Sequence, residues 1–332
     1  MLQIPSTILV APDSFKGTLR SGEAADAIAR GLVEGGWEVG LCPVADGGEG
    51  TLDVLMGALG GELVEVSASD PLGREIHASF GLTEDAAGRR AAIVETAAAS
   101  GLGLLREDEL DPLGASTAGT GELIVAAART GASVVYLGVG GSATTDGGAG
   151  AIRVIEEAGG LGETKLVVLT DVRTPFEEAA RVYGPQKGAG PVEVGRLTRR
   201  LNALARGLDR DPRGVPMTGA AGGLSGGLWA RFGATLVPGA AFVLDLLGFD
   251  PRMLAARAVV TGEGRLDQQS LAGKAVSEVA TRARQAGVPC HAVVGERRLD
   301  AFGARILDLQ AVLEAGTPAR LRDAGRRLAA LI

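Results

Sequence analysis

ILVAPDSFKGTLRSGEAADAIARGLVEGGWEVGLCPVADGGEG, residues 8–50, carries the reading of the fold. Ile8 to Ala11 is a short aliphatic run of the kind that forms a buried strand. Pro12 and Asp13 turn the chain out of it. Ser21 is then a candidate N-cap for a helix whose Ala24, Ala25, Ile28 and Leu32 fall on one face, and Gly35 with Gly36 stops it. Val39 to Val44 is the next strand and Thr51 to Leu59 the next helix. A strand, helix, strand, helix opening is the start of an α/β protein with largely parallel strands.

Beyond residue 62 the rhythm changes. Leu63 to Val66, Ile76 to Leu82 and Ala91 to Val94 follow one another with only turns between them, which predicts a mixed or antiparallel sheet. A helix around 119–130, strand Val134 to Leu137, a helix around 149–158, strand Leu166 to Leu169 and helices near 193–207 and 220–232 continue this part. The simple rhythm returns at Ala258 to Thr261 and runs through Lys274 to Ala286, His291 to Val294 and a C-terminal helix. The expectation is an α/β chain of two domains. Residues 1–62 plus 255–332 form a discontinuous domain, and residues 63–254 form a mixed α/β domain inserted into it.

Composition agrees with two domains, since 332 residues at roughly 150 per domain is about two. A net charge of −7 argues against a general polyanion-binding surface, so nucleic acid is not an expected partner. Two histidines, His77 and His291, and two cysteines, Cys42 and Cys290, leave too few residues for a Cys/His zinc site or a disulfide framework. The run at Ile8 has no basic residue before it and lies between Pro5 and Pro12, unlike a secretory signal, and Ala240 to Leu247 is short and holds Asp245. A cytoplasmic protein without a membrane span is expected. Glycine, at 52 residues, is about twice its usual share of ~7%, so many loops bring backbone close to something. Lysine is scarce: Lys16, Lys165, Lys187 and Lys274 stand against 29 arginines, and three of the four sit in or beside glycine-rich turns. A compact ammonium suits a tight phosphate site that the planar guanidinium fork does not fit.

The apolar runs end alike. ILVAPDSFKG, CPVADGGEG, VVYLGVGGSATTDGGAG, VVLTDV and AVVTGEGRLD each close on Gly, Asp, Glu or Thr. In open α/β sheets the ligand crevice lies beyond the carboxyl ends of the strands. Glycines admit an anion to backbone N–H groups, and Asp13, Asp46, Asp146, Asp171, Glu263 and Asp267 on the same loops would repel a bare polyphosphate unless Mg²⁺ stands between. Together these features point to Mg-nucleotide phosphoryl transfer. Each carboxylate has a plainer use as well, as a turn residue or a helix cap. Lys274 is not in a Walker A loop, because Gln268 stands where the first glycine belongs and Ala275 follows the lysine. Gly138, Gly140 and Ala143 satisfy GxGxx[GA], a weak dinucleotide match, and GAAGGL from Gly219 fits either an anion-binding turn or tight helix packing. No GxSxG is present, and His77 and His291 read as ordinary strand residues.

Ten strings in order, APDSFKGTL, PVADGGEGT, DPLG, ETAAASGL, STAGTGELI, GVGGSATTDGGAG, TDV, YGPQKGAG, GAAGGL and TGEGRLDQQSLAGK, resemble the type I glycerate kinase family from about Ile8 to the C-terminus. The resemblance implies a flavodoxin-like parallel-sheet domain and an inserted domain likened to the restriction-endonuclease fold. It also implies an enzyme that phosphorylates D-glycerate with ATP and Mg²⁺, most simply at the 2-hydroxyl, with a homo-oligomer left open. One departure stands out: Ala151 to Lys165 is short beside the family pattern, and RTPFEEAARVYGPQKG follows the TDV motif where relatives carry a glycine-containing loop.

For that chemistry Asp46 is the leading candidate to orient or deprotonate the hydroxyl, with Asp13 and Lys16 beside it. Ser14, Glu49, Arg265 and Asp267 are candidates for substrate binding. Gly140, Gly141, Ser142, Thr144, Lys187 and Lys274 are candidates for nucleotide binding, and Asp171 and Glu263 for Mg²⁺. Two other readings compete. GVGGSA would serve a nicotinamide-dependent oxidoreductase of a small hydroxy acid, and the altered segment after Asp171 would suit a non-catalytic small-molecule binding protein.

Overall fold

Among the residues described by the structure, a computed structural model that covers residues 6–15, 17–85 and 87–332, the strands are β1 (Thr7–Pro12), β2 (Glu38–Leu41), β3 (Glu62–Ser69), β4 (Glu75–Glu84), β5 (Arg90–Glu95), β6 (Val134–Gly138), β7 (Lys165–Leu169), β8 (Thr235–Val237), β9 (Ala258–Leu266), β10 (Cys290–Arg297) and β11 (Leu309–Glu314). Lys16 lies outside the described residues. The chain divides into two units, Met1–Asp46 with Ala240–Ile332, and Gly47–Gly239.

The first unit holds a parallel sheet of order β2-β1-β9-β10-β11. Counted along this unit alone the order is 2-1-3-4-5, the flavodoxin arrangement, with its switch point between β1 and β9. Alternation along β1 explains why the run at Ile8 is apolar throughout. Ile8 and Val10 enter one core with helices Ser21–Glu34 and Pro318–Ala329, while Leu9 and Ala11 enter the other with helix Ala275–Ala286. Ser21 is the first residue of its helix and not its cap: Arg20 occupies the N-cap, and its N–H donates to the Glu23 carboxylate at 2.9 Å.

The second unit holds a mixed sheet of order β3-β4-β5-β6-β7-β8, antiparallel through β5 and parallel from β5 to β8. The discontinuous layout has its boundaries elsewhere than 62/63 and 254/255. Helix Thr51–Leu59 belongs with the second sheet, because Gly81 on β4 lacks the side chain that would meet Met56: a Cβ there would stand 2.4 Å from the Met56 Sδ. Helices Gly239–Leu246 and Phe249–Leu254 belong with the first, where Ala240, Leu244, Phe249 and Met253 share a core with Val259 and Leu266.

The short Ala151 to Lys165 stretch makes a compact crossover, helix Ala149–Glu157 followed directly by β7. The RTPFEEAARVYGPQKG segment folds as short helical turns around the buried Phe176, with helix Pro191–Ala205 behind it. GAAGGL packs tightly, since a Cβ on Gly223 would stand 2.8 Å from the Phe176 ring, and Ala221 and Gly222 take left-handed conformations before helix Leu224–Phe232. Among the described residues no helix is long and apolar enough to cross a membrane.

Candidate active site

The first unit gathers seven of the expected residues around one cleft of about 550 Å³. Asp13, Ser14, Asp46, Glu263, Arg265, Asp267 and Lys274 line it, together with Gly295 on β10 and Gly316, which follows β11. Register explains the meeting of the first two acids: Pro12 pairs with Gly262, so Asp13 and Glu263 are the next residues on neighbouring strands at the switch point. Asp13 is buried, and its N–H donates to the Gly262 carbonyl at 2.8 Å.

Glu263 is the electrostatic centre of the cleft. It is 6% exposed, and its Oε1 has no hydrogen-bond partner. Burial raises its carboxyl to about 7, and Asp267 and Asp46 add to the rise, against the Ser270 hydroxyl and the Lys274 ammonium, which favour the anion. The other members are partly committed. Arg265 donates through Nε to Glu296 at 3.0 Å, and Asp267 caps the turn Gln268–Ala272 by accepting the Gln269 N–H at 2.8 Å. Lys274 is the residue before helix Ala275–Ala286, so its ammonium leaves the chain at a helix N-terminus.

The second unit gathers a different set at the ends of its parallel strands. Gly47 and Gly48 lie against the loop after β6: a Cβ on Gly138 would stand 2.8 Å from the Gly47 carbonyl oxygen, and one on Gly140 2.5 Å from the Gly48 Cα. Beside them the Glu49 carboxylate lies 3.6 Å from where a Gly141 Cβ would be. Ser142 and Thr144 are buried on the same loop, and Thr144 keeps an unpartnered hydroxyl.

Lys187 sits beneath that loop and not on its surface. It is 2% exposed and donates from Nζ to the Ser142 hydroxyl at 2.9 Å and to the Thr144 carbonyl. Burial lowers its ammonium to about 7, with Asp146 acting in the opposite sense. Asp146 itself accepts N–H bonds from Thr117, Gly148 and Gly150 at 3.0 to 3.1 Å and the Thr117 hydroxyl at 2.8 Å, so it caps helix Ala149–Glu157. That helix begins eleven residues after Gly138, too late for a dinucleotide fingerprint, whose glycine loop runs straight into its helix. Asp171 follows the end of β7 on this unit.

Sequence reasoning passed over Glu95, the last residue of β5, although a carboxylate closing an apolar run is the signal that found the others. The two histidines are ordinary strand residues: His77 is exposed beside Glu65, and His291 is buried, with its Nδ1 unpartnered and its pKa lowered by burial.

The sequence model of the glycerate kinase family matches residues 8–157 and 156–327, two pieces that meet inside the short Ala151 to Lys165 stretch. A glycerate kinase of Halalkalibacterium halodurans is 39% identical over 87% of this chain and 85% of its own. The glycerate 2-kinase of Escherichia coli K12 is 35% identical over 87% and 84%. A solved structure from Salmonella typhimurium LT2, provisionally assigned as glycerate kinase 2, superposes with a TM-score of 0.82 at 33% identity over 98% of both chains. On these matches and this fold, the chain belongs to the glycerate kinase family.

Proposed function

We infer that this chain transfers the γ-phosphoryl group of ATP to the 2-hydroxyl of D-glycerate, giving 2-phosphoglycerate and ADP. Family membership supports the donor and the acceptor, and likeness to a protein named glycerate 2-kinase supports the position. The oxidoreductase and binding-protein readings have no such support. The observation that carries the reading is the first unit's cleft, where five carboxylates, Asp13, Asp46, Glu263, Asp267 and Glu296, and a lysine line one cavity at the carboxyl ends of parallel strands.

Phosphoryl transfer asks a protein mainly for positioning and charge. Asp46 is assigned to orient the attacking hydroxyl and accept its proton, with Asp13 and Ser14 beside it. Lys274 is assigned to phosphate, as a point charge. Arg265, with its Nε held by Glu296, is assigned to the glycerate carboxylate, and Asp267 and Glu49 to substrate hydroxyls. Gly140, Gly141, Ser142 and Thr144 are assigned to the nucleotide.

Mg²⁺ takes one or two protein carboxylates and fills its shell with water and phosphate oxygens. Among the described residues no three His, Cys, Asp or Glu side chains gather as a cage, whereas the buried, unpartnered Oε1 of Glu263 suits a cation that arrives with a nucleotide. Glu263 would hold it. When bound, Mg²⁺ neutralises charge on the phosphoryl oxygens.

A coupled ADP-release assay with ATP, Mg²⁺ and D-glycerate, with the product read by phosphorus NMR, tests the reading. Phosphate at carbon 2 is expected. Phosphate at carbon 3, or no ADP release with D-glycerate, overturns it.

A further inference from the structure

Helix Thr51–Leu59 follows the Asp46-Gly47-Gly48-Glu49-Gly50 turn, and its N-cap cannot cap it. Gly50 has no side chain, and its left-handed φ of 97° is a conformation other residues rarely adopt. The first N–H groups of a helix need acceptors from outside it. One comes from another strand altogether: Glu95, at the end of β5, accepts the Leu52 N–H through Oε1 at 2.8 Å and also the Gly50 N–H. Its carboxylate also lies where a helix N-terminus favours negative charge.

We propose that Glu95 is a positioning residue for phosphoryl transfer, fixing the turn that carries Glu49 and so the approach of Glu49 to the substrate. The turn is clamped from two sides. On one, Gly47 and Gly48 lie against Gly138 and Gly140 with no room for a side chain between them. On the other, Glu95 ties down Gly50 and Leu52, which bracket the first helical residue. Glu49 lies between the two clamps, exposed, with its carboxylate beside Gly141. Two register-paired strand ends hold these clamps, because Glu95 pairs with Gly138. The Thr51 and Thr96 hydroxyls, next in sequence to this junction, are buried and unpartnered, so they do not duplicate the bonds that Glu95 makes. Glu49 and Asp53 are the charged groups that disfavour the Glu95 anion, and burial is the larger cause of its raised pKa.

The inference rests on the assignment of Glu49 to the substrate, and two readouts separate the two claims. Amide hydrogen exchange at residues 50–52 reports the clamp without any turnover, and steady-state kinetics report its effect on the reaction. E95A should speed exchange at Gly50 and Leu52 and raise KM for D-glycerate about tenfold, the scale of a lost helix cap, with KM for ATP unchanged. E95Q keeps a carbonyl oxygen for the same N–H groups and should restore both readouts. Should E95A fail to fold, E95D, which withdraws the carboxylate by one methylene, is expected to show the same pair of changes. Faster exchange with an unchanged KM for glycerate overturns the positioning role. Unchanged exchange in E95A, or E95Q as impaired as E95A, overturns the clamp. A wild-type protein that leaves D-glycerate untouched instead removes the functional reading on which Glu49 stands, and the exchange result is unaffected.

Discussion

The two units use the carboxyl ends of their parallel strands in opposite ways. The first presents side chains: Asp13, Asp46 and Glu263 reach one cleft from the loops after β1 and β2 and from β9, Lys274 reaches it from a helix N-terminus, and one buried carboxylate oxygen is left without a partner. In the second, buried and half-buried charges serve the backbone. Lys187, Asp146 and Glu95 bond to loops, and the groups left at the loop surface are glycine backbone and the Glu49 carboxylate. The same crevice rule therefore yields charge in one unit and close backbone approach in the other. Variants that remove charge and variants that add bulk should act differently on the two.

The largest effect is expected from Asp46→Asn. Loss of a positioned acid–base group costs about 10²- to 10⁴-fold in rate, so kcat should fall on that scale while the melting curve stays in place. Near-normal turnover in a folded D46N protein would remove Asp46 as the base. The second unit is tested by Gly140→Ala, whose Cβ would press against Gly48 at 2.5 Å and the Glu49 nitrogen at 3.2 Å. Overpacking of this kind costs about 1–3 kcal/mol. A melting temperature lowered by several degrees is expected, against no change for Gly103→Ala, where nothing lies within 4 Å of the added Cβ. Equal melting temperatures for the two alanine variants would show that the loop yields freely, and the contrast between the units would lose its basis.

The parts that sequence alone made legible are those governed by local rules. Helix Thr51–Leu59 has the predicted bounds because Gly50 and Gly60 bracket it, and β1 was readable because both of its faces are buried. The unit boundary was not legible. Nothing within residues 51–59 says which sheet they pack on, and the deciding feature is the missing side chain of Gly81, far away in sequence. Two strands escaped notice for different reasons. β8 has three residues, too few to show a period, and β11 is mostly half-buried on a sheet edge, so its apolar pattern is diluted. In the site, the strand-end rule found the cleft residues of the first unit. It did not reveal which charges bond backwards into the protein, because burial of Lys187 depends on the helical turns around Phe176, a tertiary matter.

A smaller effect sharpens the first unit's side of the contrast. Lys274→Arg keeps the charge but spreads it over a planar fork that does not replace a point charge on phosphate. KM for ATP should rise about tenfold, the order of one charge-assisted contact, and KM for D-glycerate should change less. The opposite order would move Lys274 to the acceptor side of the cleft.

The smallest effect concerns Lys187 and is read as stability against pH. Its folded ammonium gives up its proton near 7, against an ordinary 10.5, because burial penalises the charge. Between those two values the unfolded chain binds more protons than the folded one, so raising the pH stabilises the fold. Below about 7 both states are protonated and the slope from this group vanishes. Lys187→Met keeps the apolar stem and removes the titration together with the bonds to Ser142 and Thr144. The melting temperature of the natural protein relative to K187M should therefore climb steadily from pH 7 to pH 9 and run flat below that window. A difference that stays constant across the whole range would mean that the buried ammonium keeps its charge. Asp146 would then outweigh burial, and the loop of the second unit would be held by an ion pair, drawing it closer in kind to the cleft of the first.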